Sequence, residues 1–219
     1  MATSVAPFAI FALGALLALA TRGPIRSAIM LAVPIVSGIS MLGIEPGTTQ
    51  QWQILGYTLT PFRADALSMV FGYLFHIGAF VGILYALHLK DTMQHVASLI
   101  YAGAALGAVF AGDLISFFLF WEVLAVSSVF LIWARRTKDA IKAGFRYLIL
   151  QVLSGVLLMA GMLIHIYATG DVTFDYLGLD APGGWLIMLG LGLKCGFPLL
   201  HMWLTDAYPE ATPTGSVFL

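Results

Sequence analysis

Of the 219 residues, 60% are hydrophobic and only 10% are charged, where a soluble domain carries about a quarter. The chain therefore reads as a polytopic membrane protein. A net charge of -1, with no basic patch outside short connections, excludes nucleic acid as a partner. The lone Cys195 excludes an internal disulfide and a cysteine cluster for zinc or iron–sulfur.

Apolar segments follow one another at 6–20, 25–42, 66–88, 94–111, 114–134, 144–168 and 185–204. Several reach the roughly 20 residues needed to cross hydrocarbon. The first lacks the basic start of a signal peptide, and the chain stays hydrophobic beyond it, so it is read as a span. Between the second and third segments, Gly43 to Asp65 forms a polar connection beginning with Pro46, Gly47, Thr48, Thr49 and Gln50. A second long connection, Ala168 to Gly184, holds Asp171, Asp175 and Asp180. The pattern predicts an all-α fold of about seven transmembrane helices, the seventh broken at Pro198, plus the start of an eighth.

Basic residues give the orientation. Arg22, Arg26, Lys90, Arg135, Arg136, Lys138, Lys142 and Arg146 all share one side if seven spans alternate, whereas the other side holds only Arg63. The positive-inside rule then places the N-terminus outside and the basic loop 135–146 in the cytoplasm of a bacterial inner membrane.

Three charged or titratable side chains interrupt the apolar runs where chemistry is expected. Lys194 lies within Trp185 to Phe197, and a cation in hydrocarbon costs several kcal/mol, on the order of 3, unless it is paired, hydrated or deprotonated. Four residues later Pro198 has no amide hydrogen to return to the Lys194 carbonyl, and a broken helix with an ionisable group beside it is how transporters build ion sites. Glu122 is set deep in the fifth segment, where it is neutral if isolated and ionised if a lysine comes close. A Glu122–Lys194 pair would be a protonation-sensitive switch. His201 is two helical turns beyond Lys194 and has the near-neutral proton affinity of a relay; a hydrogen-bonded structural histidine is the equal alternative. His76, in the third segment, reads first as a packing residue and second as a pathway residue. Asp113 reads first as a helix N-cap, being followed by an apolar run, and second as a point of ion capture. No two of the five histidines have a metal-ligand spacing, so neither metal nor cofactor is expected in this chain. The tryptophans read as packing or interfacial anchors. Gly103, Gly107, Gly155 and Gly161 read as positions of close helix approach.

The run Lys194-Cys-Gly-Phe-Pro198-Leu-Leu-His201-Met-Trp203-Leu-Thr-Asp206-Ala-Tyr-Pro-Glu210-Ala-Thr-Pro-Thr-Gly-Ser216 resembles the antiporter-like membrane subunits shared by respiratory complex I, membrane-bound hydrogenases and multisubunit Mrp cation/proton antiporters. Asp113 to Phe130, with Phe120-Trp121-Glu122, looks like the family's fifth helix, and Lys142-Ala-Gly-Phe-Arg146-Tyr-Leu looks like the start of its sixth. The resemblance implies a proton-conducting subunit without a catalytic centre of its own. In it Glu122 and Lys194 stand where the family has its paired glutamate and lysine, His201 stands for the motif histidine, and Asp206 for the motif aspartate. The chain departs from the motif at Thr205, where proline is usual, at Tyr208, where histidine is common, and at Gly215, where valine is frequent.

The resemblance also implies an organisation. Family members have a fold of about fourteen helices with two inverted repeats. Residues 1–93 would hold helices one to three, and 94–219 an incomplete first repeat comprising helices four to seven and the start of eight. Completion of a transmembrane proton path is then expected to need the remainder of a longer sequence or a separate chain supplying the C-terminal half. The Tyr208-Pro-Glu-Ala wording places the expectation with an Mrp D-type subunit that exchanges protons for sodium. Two alternatives stand beside it: a proton-pumping subunit of a redox-driven NADH:quinone oxidoreductase or membrane-bound hydrogenase, and a non-conducting assembly subunit. Expected partners are other membrane subunits, protons, sodium in the exchanger reading, and the bilayer.

Overall fold

The structure is a computed structural model, and it describes residues 5–54 and 56–219. The predicted external N-terminus begins in residues 1–4, outside the described residues. In chain order the elements are α1 (Pro7–Ala20), α2 (Gly23–Met41), β1 (Thr49–Ile54), β2 (Tyr57–Arg63), α3 (Ala66–Ala86), α4 (Thr92–Phe110), α5 (Leu114–Trp133), α6 (Lys138–Thr169), α7 (Gly184–Cys195), α8 (Met202–Ala207) and α9 (Pro213–Phe218).

Helix starts follow from side chains that satisfy free backbone amides. Asp65 caps α3 in a reciprocal box with Ser68, and Asp91, Asp113, Thr137 and Thr212 accept from the first turns of α4, α5, α6 and α9. Large apolar side chains stay exposed on the outer surface, among them Leu67, Ile77, Ile149 and Leu163. Small residues lie inside instead: an added Cβ at Gly103 of α4 would come within 2.7 Å of the Phe11 Cβ of α1. That distribution suits a bundle packed in lipid, where small residues let backbones approach.

Among the described residues, five helices are long and apolar enough to cross a membrane: α2, α3, α4, α5 and α6. The expected count of about seven is corrected accordingly. At 14 and 12 residues, α1 and α7 fall short of that length. α6 has 32 residues, or about 48 Å of helix against a hydrocarbon core of about 30 Å. It begins at Lys138, so Lys138, Lys142 and Arg146 belong to this helix and not to a connection. Thr137 caps it there, and the charged first turns carry it beyond the apolar run.

The all-α expectation also misses an antiparallel hairpin, β1–β2, inside the polar connection. Gly56, at φ +85, supplies the turn conformation that glycine adopts without steric cost. β2 buries Leu59 and Phe62, and the Phe62 ring stacks on Phe110 of α4 with centroids 5.0 Å apart. The Thr60 carbonyl accepts from Gly112 N at 2.8 Å, while Thr60 N donates to Asp113 Oδ2 at 2.6 Å. Beside it Arg63 donates to the Phe174 carbonyl of the loop after α6 at 2.7 Å. The opposite end of the bundle joins Arg26 to Thr92, Arg136 to Asp91 and Arg135 to Glu210. Connections thus gather at two ends, with Arg63 apart from the other arginines named here.

Candidate functional site

α7 packs tightly on α6 and brings its last turn against α5. Lys194 is in that turn, where a cation faces the negative end of the helix dipole. Its Nζ donates to the Trp121 carbonyl of α5 at 2.8 Å and stands 4.3 Å from the centroid of the Trp121 ring. A carbonyl and an aromatic face together offer a desolvated ammonium two sources of negative potential. The helix then ends at Gly196, whose φ of +67 is the left-handed conformation of a glycine C-cap, with Phe197 N donating back to Gly192 at 2.9 Å. The Leu193 carbonyl, reached by Gly196 N at 3.4 Å, also accepts from Trp203 Nε1 at 2.9 Å. Pro198 therefore sits inside the break, but Gly196 starts it. Leu199, at φ +73, is held in a conformation that leucine rarely adopts.

Glu122 belongs to the middle of α5. Its Oε1 is buried and has no hydrogen-bond partner among the described residues. The carboxylate lies against α6 at Gly155, where an added Cβ would fall 2.0 Å from Oε1. On another side Glu122 lines an apolar cavity of about 680 Å³ with Leu19, Val96, Ile100, Val123 and Phe130. Glu122 and Lys194 influence each other electrostatically, yet they do not form the contact pair expected from the sequence. The ion pairs among the described residues are Arg135–Glu210 at 3.5 Å, Arg136–Asp91 at 3.0 Å and Arg146–Asp206 at 2.6 Å. The physical reason is local: the lysine is engaged by Trp121, immediately before Glu122, while the carboxylate points to the space over Gly155.

The other candidates separate. His201 is the exposed residue before α8, and residues 196–201 are not helical, so the two-turn spacing to Lys194 no longer places them on one face. His76 is buried, with Nδ1 hydrogen-bonded to the Gly72 carbonyl at 2.6 Å and Nε2 to the Ser37 hydroxyl at 2.7 Å. Asp113 caps α5 through Ser116 N at 2.7 Å and also holds Thr60 of the hairpin. Asp206 receives two hydrogen bonds from Arg146, at 2.7 and 2.6 Å. The described residues contain no metal-binding cluster of histidine, cysteine or acidic side chains. Sequence reasoning treated Trp121 as an anchor and Gly155 as packing, and it passed over Gln151, a lone polar residue in an apolar stretch of α6. That polar interruption was the available signal.

Gly155→Ala tests the carboxylate position without removing a charge. The new methyl would overlap Glu122 Oε1 and turn the carboxylate away. In the complete protein, the proton translocation that the sequence resemblance implies should fall on the order of a hundredfold, the loss that misplacing a group by about 1 Å can cause. Unchanged translocation in membrane vesicles would show that the position over Gly155 is not used.

Residues 111–219 match the family described as NADH:quinone oxidoreductase/Mrp antiporter, TM. The chain is 30% identical to NADH-quinone oxidoreductase subunit M of Pseudomonas aeruginosa (strain PAO1) over 207 residues, covering 81% of this chain and 40% of that protein. The fold is similar to a chain of the membrane-bound sulfane sulfur reductase, an archaeal respiratory membrane complex, with a TM-score of 0.83, 22% identity and coverage of 96% of this chain and 37% of that one. It is also similar to a chain of the Mrp complex from Dietzia sp. DQ12-45-1b, with a TM-score of 0.82, 19% identity and coverage of 100% and 46%. The chain thus spans less than half the length of each of these relatives. The broken α7 with its buried-facing lysine, the mid-helix glutamate of α5 and the matched sequence lead to one conclusion: the chain belongs to the NADH:quinone oxidoreductase/Mrp antiporter transmembrane family.

Proposed function

We propose that this chain carries the first antiporter-like half of a proton-translocating membrane subunit in a redox-driven complex of the NADH:quinone oxidoreductase type. The observation that carries the reading is Lys194, held at a helix break by a carbonyl and an aromatic face, with a buried carboxylate oxygen that has no partner among the described residues on the residue after Trp121. A lysine so placed changes its proton affinity when the carboxylate approaches or retreats. In the present arrangement Lys194 rests on Trp121; swinging toward Glu122 would complete the pair and favour the protonated lysine. His201 would receive protons only after a rearrangement of the break. The sodium/proton exchanger suggested by the sequence wording is the second reading, supported by the likeness of fold to the Mrp complex. The redox-driven reading has the stronger support, because sequence identity is 30% to NADH-quinone oxidoreductase subunit M and 28% to a Na(+)/H(+) antiporter subunit A1 from Staphylococcus haemolyticus.

In this reading 94–219 is the first repeat, the end bearing Arg135 and Arg136 faces the cytoplasm of a bacterial inner membrane, and the partners are further membrane subunits. Affinity purification of the complete protein from its native membrane, followed by mass spectrometry, tests the assignment. Flavin and iron–sulfur proteins are expected to copurify. Recovery of only small membrane subunits and a second antiporter-like chain would overturn it in favour of the exchanger.

A further inference from the structure

α6 and α7 run antiparallel in a register that can be followed turn by turn. Gly161 of α6 meets Gly183 and Ile187 of α7; one to two turns further, Ser154 and Leu158 meet Gly190, with Ser154 Oγ donating to the Gly190 carbonyl at 2.8 Å. Lys194 is about one turn beyond Gly190, and Gln151 about one turn before Ser154, so the two fall level. Gln151 is 1% exposed, and its Oε1 has no hydrogen-bond partner among the described residues. Contacts to α5 bracket the same position: Gly155 meets Glu122 on one side, and Tyr147 Oη lies 2.8 Å from Ser128 Oγ on the other. Trp121 Nε1, beneath the Lys194 ammonium, also lacks a partner. Three buried polar atoms on two neighbouring helices thus gather around one lysine without protein partners, and buried groups of that kind are satisfied by ordered water.

We propose that Gln151 holds a water between Lys194 and the Tyr147–Ser128 hydroxyl pair, making it a positioning residue on a proton route toward the end of the bundle that bears Arg135. The inference rests on the proton-translocating reading above. Gln151 and Tyr147 are one turn apart on α6, about 6 Å along the axis, a gap that one water bridges. An amide both donates and accepts, so it can orient that water whichever way the proton runs. Ser128 Oγ donates to the Ala125 carbonyl at 2.8 Å, which leaves the Tyr147 hydroxyl as donor to Ser128. The proton leaving Lys194 Nζ goes to the water, the water's own proton goes to Tyr147 Oη, the Tyr147 proton goes to Ser128 Oγ, and Ser128 gives up its own proton to a second water on the side of Arg135, so each hydroxyl ends with one proton.

The test measures proton translocation and thermal midpoint for variants of the complete protein in native membrane vesicles. Gln151→Leu should cut translocation about tenfold with normal subunit levels, since the positioned water is lost. The same variant should melt higher, because leucine removes a buried amide oxygen that has no protein partner among the described residues. Gln151→Glu, which keeps the shape and still binds water, should restore most of the rate, a distinction that a packing role would not produce. Wild-type translocation in Gln151→Leu overturns the proposal. If that variant does not assemble, Tyr147→Phe decides, since it retains the ring contact with Trp203 at 5.4 Å and loses only the hydroxyl: reduced translocation supports the route, and an unchanged rate removes it. Lys194→Ala separates the two levels. An active Lys194→Ala protein defeats the underlying function, whereas an inactive one beside normal Gln151→Leu and Tyr147→Phe proteins defeats this inference alone.

Discussion

Replacing Lys194 by alanine in the complete protein is expected to lower proton translocation by about a hundredfold or more while leaving the complex assembled. The separation of the two effects follows from what the lysine touches. Its acceptor, the Trp121 carbonyl, lies within α5, and loss of the ammonium leaves no buried charge behind. The stacking contact with the Trp121 ring contributes about 1–2 kcal/mol, partly offset by relief of desolvation. Activity has no such compensation, because no other cationic side chain is placed against Trp121 and Glu122 among the described residues. Fluorescence-quench assays on inverted vesicles, with subunit ratios read by mass spectrometry, give both quantities. Lys194→Met, which fills similar space, controls for packing. Near-normal translocation by either variant at normal subunit levels would refute the role given to Lys194.

The second large effect is on stability. In Gly183→Ala the added methyl would lie 2.0 Å from the Gly161 carbonyl oxygen, and the backbone at φ +77 already disfavours alanine. The overlap is with backbone, so no side chain can rotate away, and α7 must lift from α6. A cost of about 3 kcal/mol and a fall in thermal midpoint of about 10 °C are expected. Gly170→Ala is the control. Its φ of +74 is similar, but no atom lies within 4 Å of the added Cβ. Equal midpoints for the two variants would show that conformational strain, and not the contact of backbones, accounts for the loss.

Lys194 announced itself because a cation in an apolar run has few innocent explanations. The apolar segments marked the helices for a similar reason, since lipid demands long uninterrupted hydrophobic runs. Sequence placed the helix break at proline, whereas the backbone ends α7 at Gly196, two residues earlier. The hairpin was missed because its ladder occupies a stretch dominated by turn-forming and polar residues, and its anchors, Gly112, Asp113 and Phe174, are remote in sequence. The contact pair of Glu122 and Lys194 was expected from chemical complementarity. Whether two such groups meet depends on the rotation of α5 and on the space over Gly155, which no local pattern encodes. His201 shows the same limit: spacing predicts a shared face only while the helix continues.

α1 packs on α4 more extensively than on its sequence neighbour α2. The Phe11 side chain nests against Gly103, more than ninety residues later in the chain. During synthesis, therefore, the first helix reaches the membrane well before its main partner exists. With only 14 residues it is short for an independent anchor, and until α4 is laid beside it, α2 is the one of these two neighbours already in place. The order in which the ribosome delivers the helices thus makes α4 the residence permit of α1, and substitutions at Gly103 would act first on insertion and only afterwards on the finished bundle.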